Sequence, residues 1–474
     1  MIKVYLSDDK YRYDVFQIIN LFYQLEDIKF INEDSDISIL IKDEKIVLNT
    51  QEYSDEFVIE DSLTIKENIN LAVFSFLTKI TNKEFPWGTL IGIRPSKVAL
   101  TLLEKGKSEE EIIRYYEKHY NAKSHKSKLC IDIAKLEKKF VNSDTNTVSV
   151  YIGMPFCPTR CLYCSFTSNP IAGCSNLVKP YLSALSKEIE SIGAFIKEKN
   201  LKIQCVYFGG GTPTSVDDNE FDYIMKIVYD NLIHNRDVEE FTVECGRPDS
   251  ITANKLQSMK KFGVHRISIN PQTMNDETLK RIGRHHSSKD VIDKFDLARK
   301  MGFDNINMDI IVGLMGEGPS EIDYSCEQIH RLNPDSITVH GLAVKRASKL
   351  HENIIKNSKI SEIPQGEINI MYEKTEKLAE GLDMKPYYMY RQKNMFGNME
   401  NVGYSKLNKE GIYNIQMIEE KQTIIAAGAD AVSKVVFLDE NRIERFANVK
   451  DVKEYVNRID EMISNKISLL NSLY

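Results

Sequence analysis

Apolar residues in the middle of the chain follow two alternating spacings. Short apolar runs recur between residues 148 and 340, and between them apolar residues step by three or four positions, as Leu182, Leu185, Ile189 and Ile192 do. The runs predict strands over 148–154, 203–208, 241–245, 266–269, 306–312 and 336–340. The stepped stretches predict helices over 220–232, 252–262, 289–301 and 319–332. Strands separated by helices favour parallel β–α units, either an open α/β sheet or a partial barrel.

The two flanking regions have different patterns. Residues 1–145 predict a separate α+β domain, because apolar runs at 37–41 and 46–48 flank a polar segment as in a hairpin. Further helices are predicted over 63–81, 96–104, 108–120 and 123–140. The strand–helix alternation ends near residue 345, and 346–474 predict a mostly helical C-terminal cover. The chain is therefore divided into 1–145, 146–345 and 346–474.

Composition and charge narrow the class of protein. The chain has 474 residues and eight cysteines, and its 62 Lys and Arg against 69 Asp and Glu give a net charge of −7. This length can bury a full core without disulfides, and a mildly acidic chain lacks the positive field of a nucleic-acid binder. The first residues lack a secretory signal pattern, and no apolar run is long enough to span a membrane. We expect a cytoplasmic protein with no membrane span.

Three cysteines have a spacing that predicts a metal centre. Cys157, Cys161 and Cys164 form a C-x3-C-x2-C motif directly after the first predicted strand of the alternating region. Three thiolates on one loop hold three irons of a 4Fe-4S cluster and leave the fourth iron open to another ligand. Zinc is the alternative, but zinc sites favour paired C-x2-C motifs and a fourth ligand.

The other five cysteines follow no ligand spacing. Cys205 and Cys245 lie within predicted strands and fit small core residues. Cys174 is close enough in sequence to the triplet to be tested as an additional ligand. The remaining two are Cys130 and Cys326.

Further polar signals follow the later predicted strands. A glycine triplet, Gly209–Gly211, follows the second strand, where it lets the backbone approach a ligand closely or simply makes a tight turn. Glu244 and Asp309 are carboxylates in apolar strands, which is costly unless they are paired. A structural ion pair of Glu244 with Arg247 is one interpretation, and a ligand-binding role is the other. His285 and His286 fit acid–base, substrate-binding or capping roles.

The cysteine triplet resembles the signature of the radical S-adenosylmethionine (SAM) enzymes. With the glycine triplet, Glu244, Arg284 and Asp309, the stretch from about residue 151 to 433 resembles the oxygen-independent coproporphyrinogen III oxidase (HemN-like) family and its haem-chaperone and haem-degrading relatives. The segment from Trp87 to Pro95 and the C-terminal part are most similar to the HemZ-type coproporphyrinogen dehydrogenase subgroup. The resemblance implies an α/β fold with a partial (β/α)6 radical SAM barrel.

The resemblance also implies cofactors and the residues that bind them. Family members bind SAM at the open iron, cleave it with one electron to a 5′-deoxyadenosyl radical, and hold a second SAM. By motif position, the first SAM contacts Tyr151, Glu244, Ala343 and Val432, with Tyr151 and Glu244 as the catalytic residues. The second contacts Tyr163, Gly210, Gly211, Thr212, Gln272, Arg284 and Asp309. A guanidinium such as that of Arg284 can clamp a SAM carboxylate with two hydrogen bonds.

The function implied is oxidative decarboxylation of coproporphyrinogen III to protoporphyrinogen IX, in anaerobic porphyrin and haem biosynthesis. Its partners are the tetrapyrrole and a low-potential electron donor such as flavodoxin or ferredoxin. Candidate cations for the propionates are Arg160, Arg247, Lys345 and Arg346, for each of which an ordinary surface or salt-bridge role is the alternative. Ser165 and Phe166 after the third cysteine are closer to the haem-chaperone pattern, so a haem chaperone is the first alternative. A radical enzyme acting on haem itself is the second.

Overall fold

The computed structural model describes residues 1–141, 144–166, 168–343, 345, 348–350, 352, 363–392 and 395–474. The chain forms two compact units. The first unit comprises Met1–Lys135, Ile363–Ile370 and Tyr390–Glu400, and the second comprises Leu136–Glu362, Met371–Met389 and Asn401–Tyr474. The division into three regions derived from the sequence stays a prediction.

The N-terminal part of the first unit is the predicted α+β region. Its strands are β1 (Ile2–Leu6), β2 (Ile28–Phe30), β3 (Ile37–Ile41), β4 (Lys45–Asn49) and β5 (Ser54–Val58), in the order β2-β1-β3-β4-β5. Its helices are α1 (Arg12–Phe22), α2 (Ile65–Thr81), α3 (Ser96–Glu104), α4 (Glu109–Tyr120) and α5 (Ser124–Glu137). Ile41 pairs with Ile46 across the predicted hairpin. Capping boxes at Thr64 and Ser108 fix the starts of α2 and α4.

The first unit also contains a buried charged group. Glu400 accepts hydrogen bonds from Trp87 Nε1 at 2.6 Å and from Lys126 Nζ at 2.7 Å, and all three side chains are buried. The Arg391 guanidinium lies 5.2 Å from the centre of the Trp87 ring. The tryptophan motif found in the sequence is therefore part of this unit's core, where it anchors segment 390–400.

The second unit is built on a sheet of eleven described strands. Six of them are parallel neighbours in the order β6, β9, β10, β11, β12, β13, and they are the six strands predicted from the apolar runs. Their bounds are β6 (Thr147–Met154), β9 (Lys202–Gly210), β10 (Glu240–Glu244), β11 (Arg266–Ser268), β12 (Ile306–Val312) and β13 (Ser336–Gly341). Two short strands, β7 (Phe156–Cys157) and β8 (Asn169–Pro170), pair with each other in the cysteine loop.

Helices connect the parallel strands, and all of them except α9 lie where the stepped spacing predicted. They are α6 (Ser175–Glu198), α7 (Asp218–Val228), α8 (Ala253–Lys261), α9 (Asp276–Arg281), α10 (Ser288–Lys300) and α11 (Pro319–Leu332). Each of the first five parallel strands is therefore followed by a helical crossover to the next, and the carboxyl ends of the six strands meet at one edge of the sheet.

The C-terminal region adds helices and also extends the central sheet. Its elements are α12 (Gln365–Gly381), β14 (Lys385–Tyr390), β15 (Asn401–Ser405), α13 (Ile412–Glu419), β16 (Thr423–Ala427), β17 (Val432–Phe437), β18 (Arg442–Ala447), α14 (Val452–Asn457) and α15 (Ile459–Asn471). β15 pairs antiparallel with β13, and β16 pairs parallel with β6. The strand order runs from β14 to β18, so the described sheet is a partial and not a closed barrel.

At the amino ends of the parallel strands, polar side chains form hydrogen bonds with one another. Gln204 Oε1 accepts hydrogen bonds from Gln416 Nε2 at 2.9 Å and from Gln422 Nε2 at 2.8 Å. Gln422 Oε1 accepts a hydrogen bond from Ser149 Oγ at 2.5 Å. This glutamine cluster links α13 and β16 to the parallel sheet. No helix in the described ranges has the length and apolar character needed to cross a membrane.

A buried ion pair supports the turn after β16. Glu188 on α6 accepts hydrogen bonds from the Gly428 amide at 2.8 Å and from Tyr455 OH at 2.5 Å, and it pairs with Lys466 on α15. Lys466 Nζ also donates to the Ala426 carbonyl. Two C-terminal helices therefore fix a turn of small residues at the carboxyl edge of the sheet.

Candidate active site

The predicted site residues lie mostly at the carboxyl ends of the parallel strands. The cysteine loop follows β6, Gly210 ends β9, Glu244 ends β10, Gln272 follows β11, Asp309 lies in β12, Ala343 follows β13 and Val432 begins β17. This edge is where loops of parallel α/β sheets bind ligands. The strand order thus brings residues that are up to 275 positions apart in sequence, from Cys157 to Val432, to one edge of the sheet.

The cysteine loop is attached to the segment that follows α9. Thr159 Oγ1 donates to the Gly283 carbonyl at 2.8 Å, and the Leu162 amide donates to the Ile282 carbonyl at 3.0 Å. Cys157 is the last residue of β7, and its Sγ accepts a hydrogen bond from Thr212 Oγ1 at 3.5 Å. Protein contacts therefore hold the loop from both sides.

The donor set of this loop fits an iron–sulfur cluster. Burial, together with the neighbouring thiols of Cys164 and Cys161, raises the pKa of Cys157 to about 12, and burial also raises the pKa of Cys164. Thiolates in such surroundings require a strongly positive partner, which iron supplies. Within the described ranges, no three His, Cys, Asp or Glu side chains converge on one metal ion. A cube binds each thiolate at a different iron, so convergence is not needed.

The glycine triplet brings backbone against the cysteine loop. A Cβ on Gly211 would lie 2.6 Å from the Phe156 carbonyl oxygen and 3.0 Å from Cys157 Sγ. Gly210 has a φ of +97°, which side chains rarely adopt. The Gly211 amide donates to the Met154 carbonyl at 2.6 Å. The glycine triplet therefore packs against the cysteine loop, and its approach to a ligand stays a prediction.

Glu244 is a buried carboxylate in an aromatic environment. Tyr207 OH donates a hydrogen bond to Glu244 Oε1, and the Tyr207 ring stacks with those of Tyr151 and Tyr413 at centroid distances of 6.3 Å and 4.3 Å. Burial raises the pKa of Glu244 to about 7, although the Tyr207 hydrogen bond opposes this. Arg247 forms its ion pair with Asp249, so the predicted alternative of a Glu244–Arg247 pair is wrong.

Arg284 is a buried guanidinium with one nitrogen unused. Its Nη1 donates to Tyr163 OH at 3.3 Å, and its Nη2 donates to the carbonyls of Gly246 and Asn270 at 2.9 Å and 2.6 Å. Its Nε is buried and has no hydrogen-bond partner. The sequence predicted a two-atom clamp, but main-chain carbonyls occupy Nη2. The unpartnered Nε still fits a ligand acceptor such as a carboxylate oxygen.

Asp309 and Gln272 are joined through the backbone. Gln272 has a φ of +67°, and its amide donates to the Asp309 carbonyl at 2.9 Å. The Asp309 carboxylate accepts a hydrogen bond from Asn307 Nδ2 at 2.7 Å and lies 3.7 Å from His340 Nε2. Burial acts to raise the pKa of Asp309, but His340 holds it below its usual value.

Ala343 and Val432 lie just after the end of β13 and at the start of β17. Ala343 is buried directly after Leu342, whose amide donates to the Val312 carbonyl at 2.9 Å. Val432 pairs with Ala447 across the β17–β18 hairpin and is 39% exposed. Their contact with a cofactor stays a prediction.

The predicted cations have different surroundings. Lys345 Nζ lies 5.5 Å from the centre of the Phe166 ring, which is 65% exposed directly after the cysteine loop. Arg247 is occupied by Asp249, and Arg346 lies outside the described residues. The sequence analysis did not single out Tyr207 and His340. Each is a polar residue near the carboxyl end of a predicted strand. The same pattern identified Glu244 as a candidate, so it could also have identified these two residues.

A protein-family match supports the assignment of the cysteine loop to a cluster site, and a solved structure has a similar fold. The Radical SAM superfamily model matches residues 151–329, so the part of the chain from β6 to α11, with its cysteine loop, lies in a radical SAM domain. Proteins of this superfamily use a 4Fe-4S cluster and SAM. In a solved structure titled "Coproporphyrinogen III oxidase (HemN) from Escherichia coli is a Radical SAM enzyme", the fold matches 70% of this chain and 73% of that chain, with a TM-score of 0.53 and 20% identity.

Two curated relatives from Bacillus subtilis (strain 168) define the family more closely. The oxygen-independent coproporphyrinogen-III oxidase-like protein HemZ is 37% identical over 490 residues, which is 99% of this chain and 97% of the relative. The heme chaperone HemW is 30% identical over 314 residues, covering 66% of this chain and 76% of HemW. The chain belongs to the HemZ-like family of radical SAM proteins related to the oxygen-independent coproporphyrinogen III oxidases.

Proposed function

We propose that this protein removes the carboxyl groups of two coproporphyrinogen III propionates and leaves vinyl groups, which gives protoporphyrinogen IX. Each propionate loses one hydrogen atom, one CO₂ and one electron, and the electron passes to an acceptor. The observation that carries the proposal is full-length similarity to an oxidase-like protein, joined to a cysteine loop at the same carboxyl edge of the sheet as Glu244 and in contact with Arg284 through Tyr163.

We assign the following roles to the candidate site residues. Cys157, Cys161 and Cys164 would hold the cluster, and Gly211 lets the glycine backbone pack against Phe156 and Cys157 of the loop. Tyr151 and Glu244 would bind the first SAM, since a buried carboxylate suits a positively charged ligand. When bound, the cluster and SAM supply a carbon radical that removes a hydrogen atom from the substrate. The surrounding side chains orient the ligands and exclude water.

A second SAM is part of the proposal. Arg284 Nε lacks a partner in a buried position, and Tyr163 OH lies 3.3 Å from the same guanidinium. A carboxylate placed there would satisfy a donor that is otherwise costly to bury. Gly210, Thr212, Gln272 and Asp309 would complete this site, as the family resemblance predicts. The orphaned Nε supports the assignment.

The substrate region is proposed from charge and aromatic surface. Coproporphyrinogen III carries four carboxylates, and Lys345 and Arg160 are cations beside or within the cysteine loop. The exposed Phe166 ring offers an apolar surface for a pyrrole ring. A low-potential flavodoxin or ferredoxin would supply the electron that starts each cleavage, and a cytoplasmic location suits such a carrier.

A haem chaperone is the second candidate function. The similarity to HemW, and the Ser165–Phe166 pair after the third cysteine, favour it. A chaperone would bind haem and keep the cluster, but it would not turn over coproporphyrinogen. The two candidates therefore differ in their products and not in their cofactors.

An anaerobic turnover assay tests the proposal. Protein with a reconstituted cluster is incubated with coproporphyrinogen III, SAM and dithionite, and products are measured by mass spectrometry. We expect 5′-deoxyadenosine together with mono- and divinyl porphyrinogens. SAM cleavage without porphyrin decarboxylation would contradict the proposed reaction. Tight haem binding without SAM turnover would favour the chaperone.

A further inference from the structure

Arg247 is a buried guanidinium that contacts a predicted cluster ligand. It is 3% exposed, and its Nη1 lies 3.7 Å from Cys161 Sγ in hydrogen-bonding geometry. The same nitrogen donates to Thr159 Oγ1 at 3.0 Å and to the Thr159 carbonyl at 3.4 Å. The side chain therefore lies along the C-x3-C segment and directs positive charge at one of its sulfurs.

The local backbone places this side chain. Glu244 ends β10, and Gly246 then turns the chain with a φ of +58°. A short 3-10 turn, Pro248–Ser250, starts immediately after Arg247, and the Ser250 amide donates to the Arg247 carbonyl at 3.0 Å. Arg247 is thus held at a tight turn at the carboxyl edge, next to the cysteine loop.

Asp249 fixes the direction of the guanidinium. Arg247 Nε donates to Asp249 Oδ1 at 3.2 Å, and its Nη2 donates to Asp249 Oδ2 at 3.0 Å. These two hydrogen bonds occupy the Nε–Nη2 edge of the guanidinium and leave Nη1 directed toward Cys161 Sγ. Within the pair, the positive group is therefore the one in contact with the sulfur of Cys161.

The other charged groups nearby do not cancel this effect. Arg284 is directed at the carbonyls of Gly246 and Asn270. His286 Nδ1 lies 3.9 Å from Asp249 Oδ1. Burial, with Arg284 and Arg247 beside it, lowers the pKa of His286 to about 2, so its imidazole is neutral.

We infer that Arg247 tunes the reduction potential of the cluster, because its hydrogen bond and positive charge at Cys161 stabilise the reduced form. The inference rests on the proposed cluster site. One-electron reduction adds a negative charge to the cluster and its thiolates, and potentials of such clusters depend on local charge and on hydrogen bonds to sulfur. Arg247 makes the cluster easier to reduce, and Asp249 moderates the effect while holding Arg247 in place.

Potentiometric titration monitored by electron paramagnetic resonance (EPR) tests this role on the full-length protein. The cluster is reconstituted anaerobically and titrated with dithionite without substrate, so that turnover is not needed. Arg247→Met should lower the midpoint potential by about 59 mV, which is a tenfold change in a one-electron equilibrium. Arg247→Lys should lower it less, and Asp249→Asn should raise it, because it removes a negative charge.

Arg442→Met is the matched control, since it removes one positive charge from an arginine in an exposed hairpin. Its midpoint should equal that of the unsubstituted protein. A full cluster in Arg247→Met with an unchanged midpoint would overturn the inference. A lowered midpoint in Asp249→Asn would also overturn it, since only a distorted loop shifts both variants in the same direction.

The experiment separates this inference from the proposed function. If Arg247→Met fails to bind iron, the signs of the Arg247→Lys and Asp249→Asn shifts decide the question. Absence of iron and sulfide in the unsubstituted protein would overturn the cluster site and the inference with it. A cluster with the expected shifts but no porphyrin turnover would support the inference and contradict the proposed reaction alone.

Discussion

Buried polar groups at the amino and carboxyl ends of the parallel strands differ in their hydrogen-bond partners. At the amino ends, Gln204 accepts hydrogen bonds from Gln416 and Gln422, and one oxygen of this cluster, Gln416 Oε1, has no partner. At the carboxyl ends, Arg284 Nε is unpartnered, and Glu244 is buried with a raised pKa. The first pattern stabilises a fold, because its members bond each other. The second leaves groups that a ligand can satisfy.

This difference predicts which substitutions affect activity and which affect folding. Changes to Cys161 or Glu244 at the carboxyl end should weaken cofactor binding while the protein stays folded, since we assign these side chains to ligands. Changes at the amino end should lower the free energy of unfolding and leave cofactor affinity unchanged. The variants below test this contrast from the largest expected effect to the smallest.

Cys161→Ala should give the largest effect. It removes one of three thiolates, so we expect loss of the brown iron–sulfur absorbance and of all SAM cleavage. Iron and sulfide analysis with the anaerobic assay measures both. Cys174→Ala is the matched control and should keep the cluster, because Cys174 lies outside the triplet. Loss of the cluster in this control would show that Cys174 is a fourth ligand, contrary to the three-cysteine assignment.

Glu244→Gln should weaken SAM binding while the cluster remains. A hydrogen bond to a charged group contributes about 1.5–3 kcal/mol, which corresponds to roughly 10- to 100-fold in affinity. Equilibrium binding of SAM to the cluster-loaded protein measures the change. Equal affinity in the variant and the parent would remove Glu244 from the site. Unfolding curves should stay close to those of the parent, since the amide keeps the volume of the carboxyl group.

SAM affinity should depend on pH through Glu244. With a pKa of about 7 in the folded protein, the carboxyl group is mostly protonated at pH 6 and ionised at pH 8. A cationic ligand prefers the ionised form, so affinity should rise about tenfold from pH 6 to pH 8. Tyr207, Asp309 and His340 also face this region. The dependence should disappear in Glu244→Gln, and a dependence that persists there would assign it to one of these neighbours.

Gln204→Ala should affect stability alone. It removes the acceptor shared by Gln416 and Gln422, so we expect a loss of about 2 kcal/mol in the free energy of unfolding. Denaturant titration measures the loss, and SAM affinity of the folded variant should change less than twofold. A large change in SAM affinity would show that the two ends of the sheet are not independent.

The sequence predicted most of the fold because its strands and helices carry strong periodic signals. All six parallel strands lie where the apolar runs placed them, within two residues at each end. The strands that extend the sheet were harder to predict, since β15 and β16 pair with parallel strands that are distant in sequence. β16, for example, pairs with β6, which lies more than 270 residues earlier.

The site was predictable in its motifs but not in its contacts. Cysteine and glycine spacing placed the loop and the close backbone approach, because both are local. The partner of Arg247 was not predictable, since the choice between Glu244 and Asp249 depends on the turn at Gly246. The unpartnered Nε of Arg284 likewise depends on two carbonyls supplied by other loops.

Isotope transfer tests the central claim most directly. Coproporphyrinogen III deuterated at the β-carbons of its propionates is supplied with SAM and dithionite to the cluster-loaded protein under anaerobic conditions. Mass spectrometry should find one deuterium in each 5′-deoxyadenosine and a matching amount of vinyl product. Unlabelled 5′-deoxyadenosine alongside intact coproporphyrinogen would contradict the claim that this site acts on the propionates.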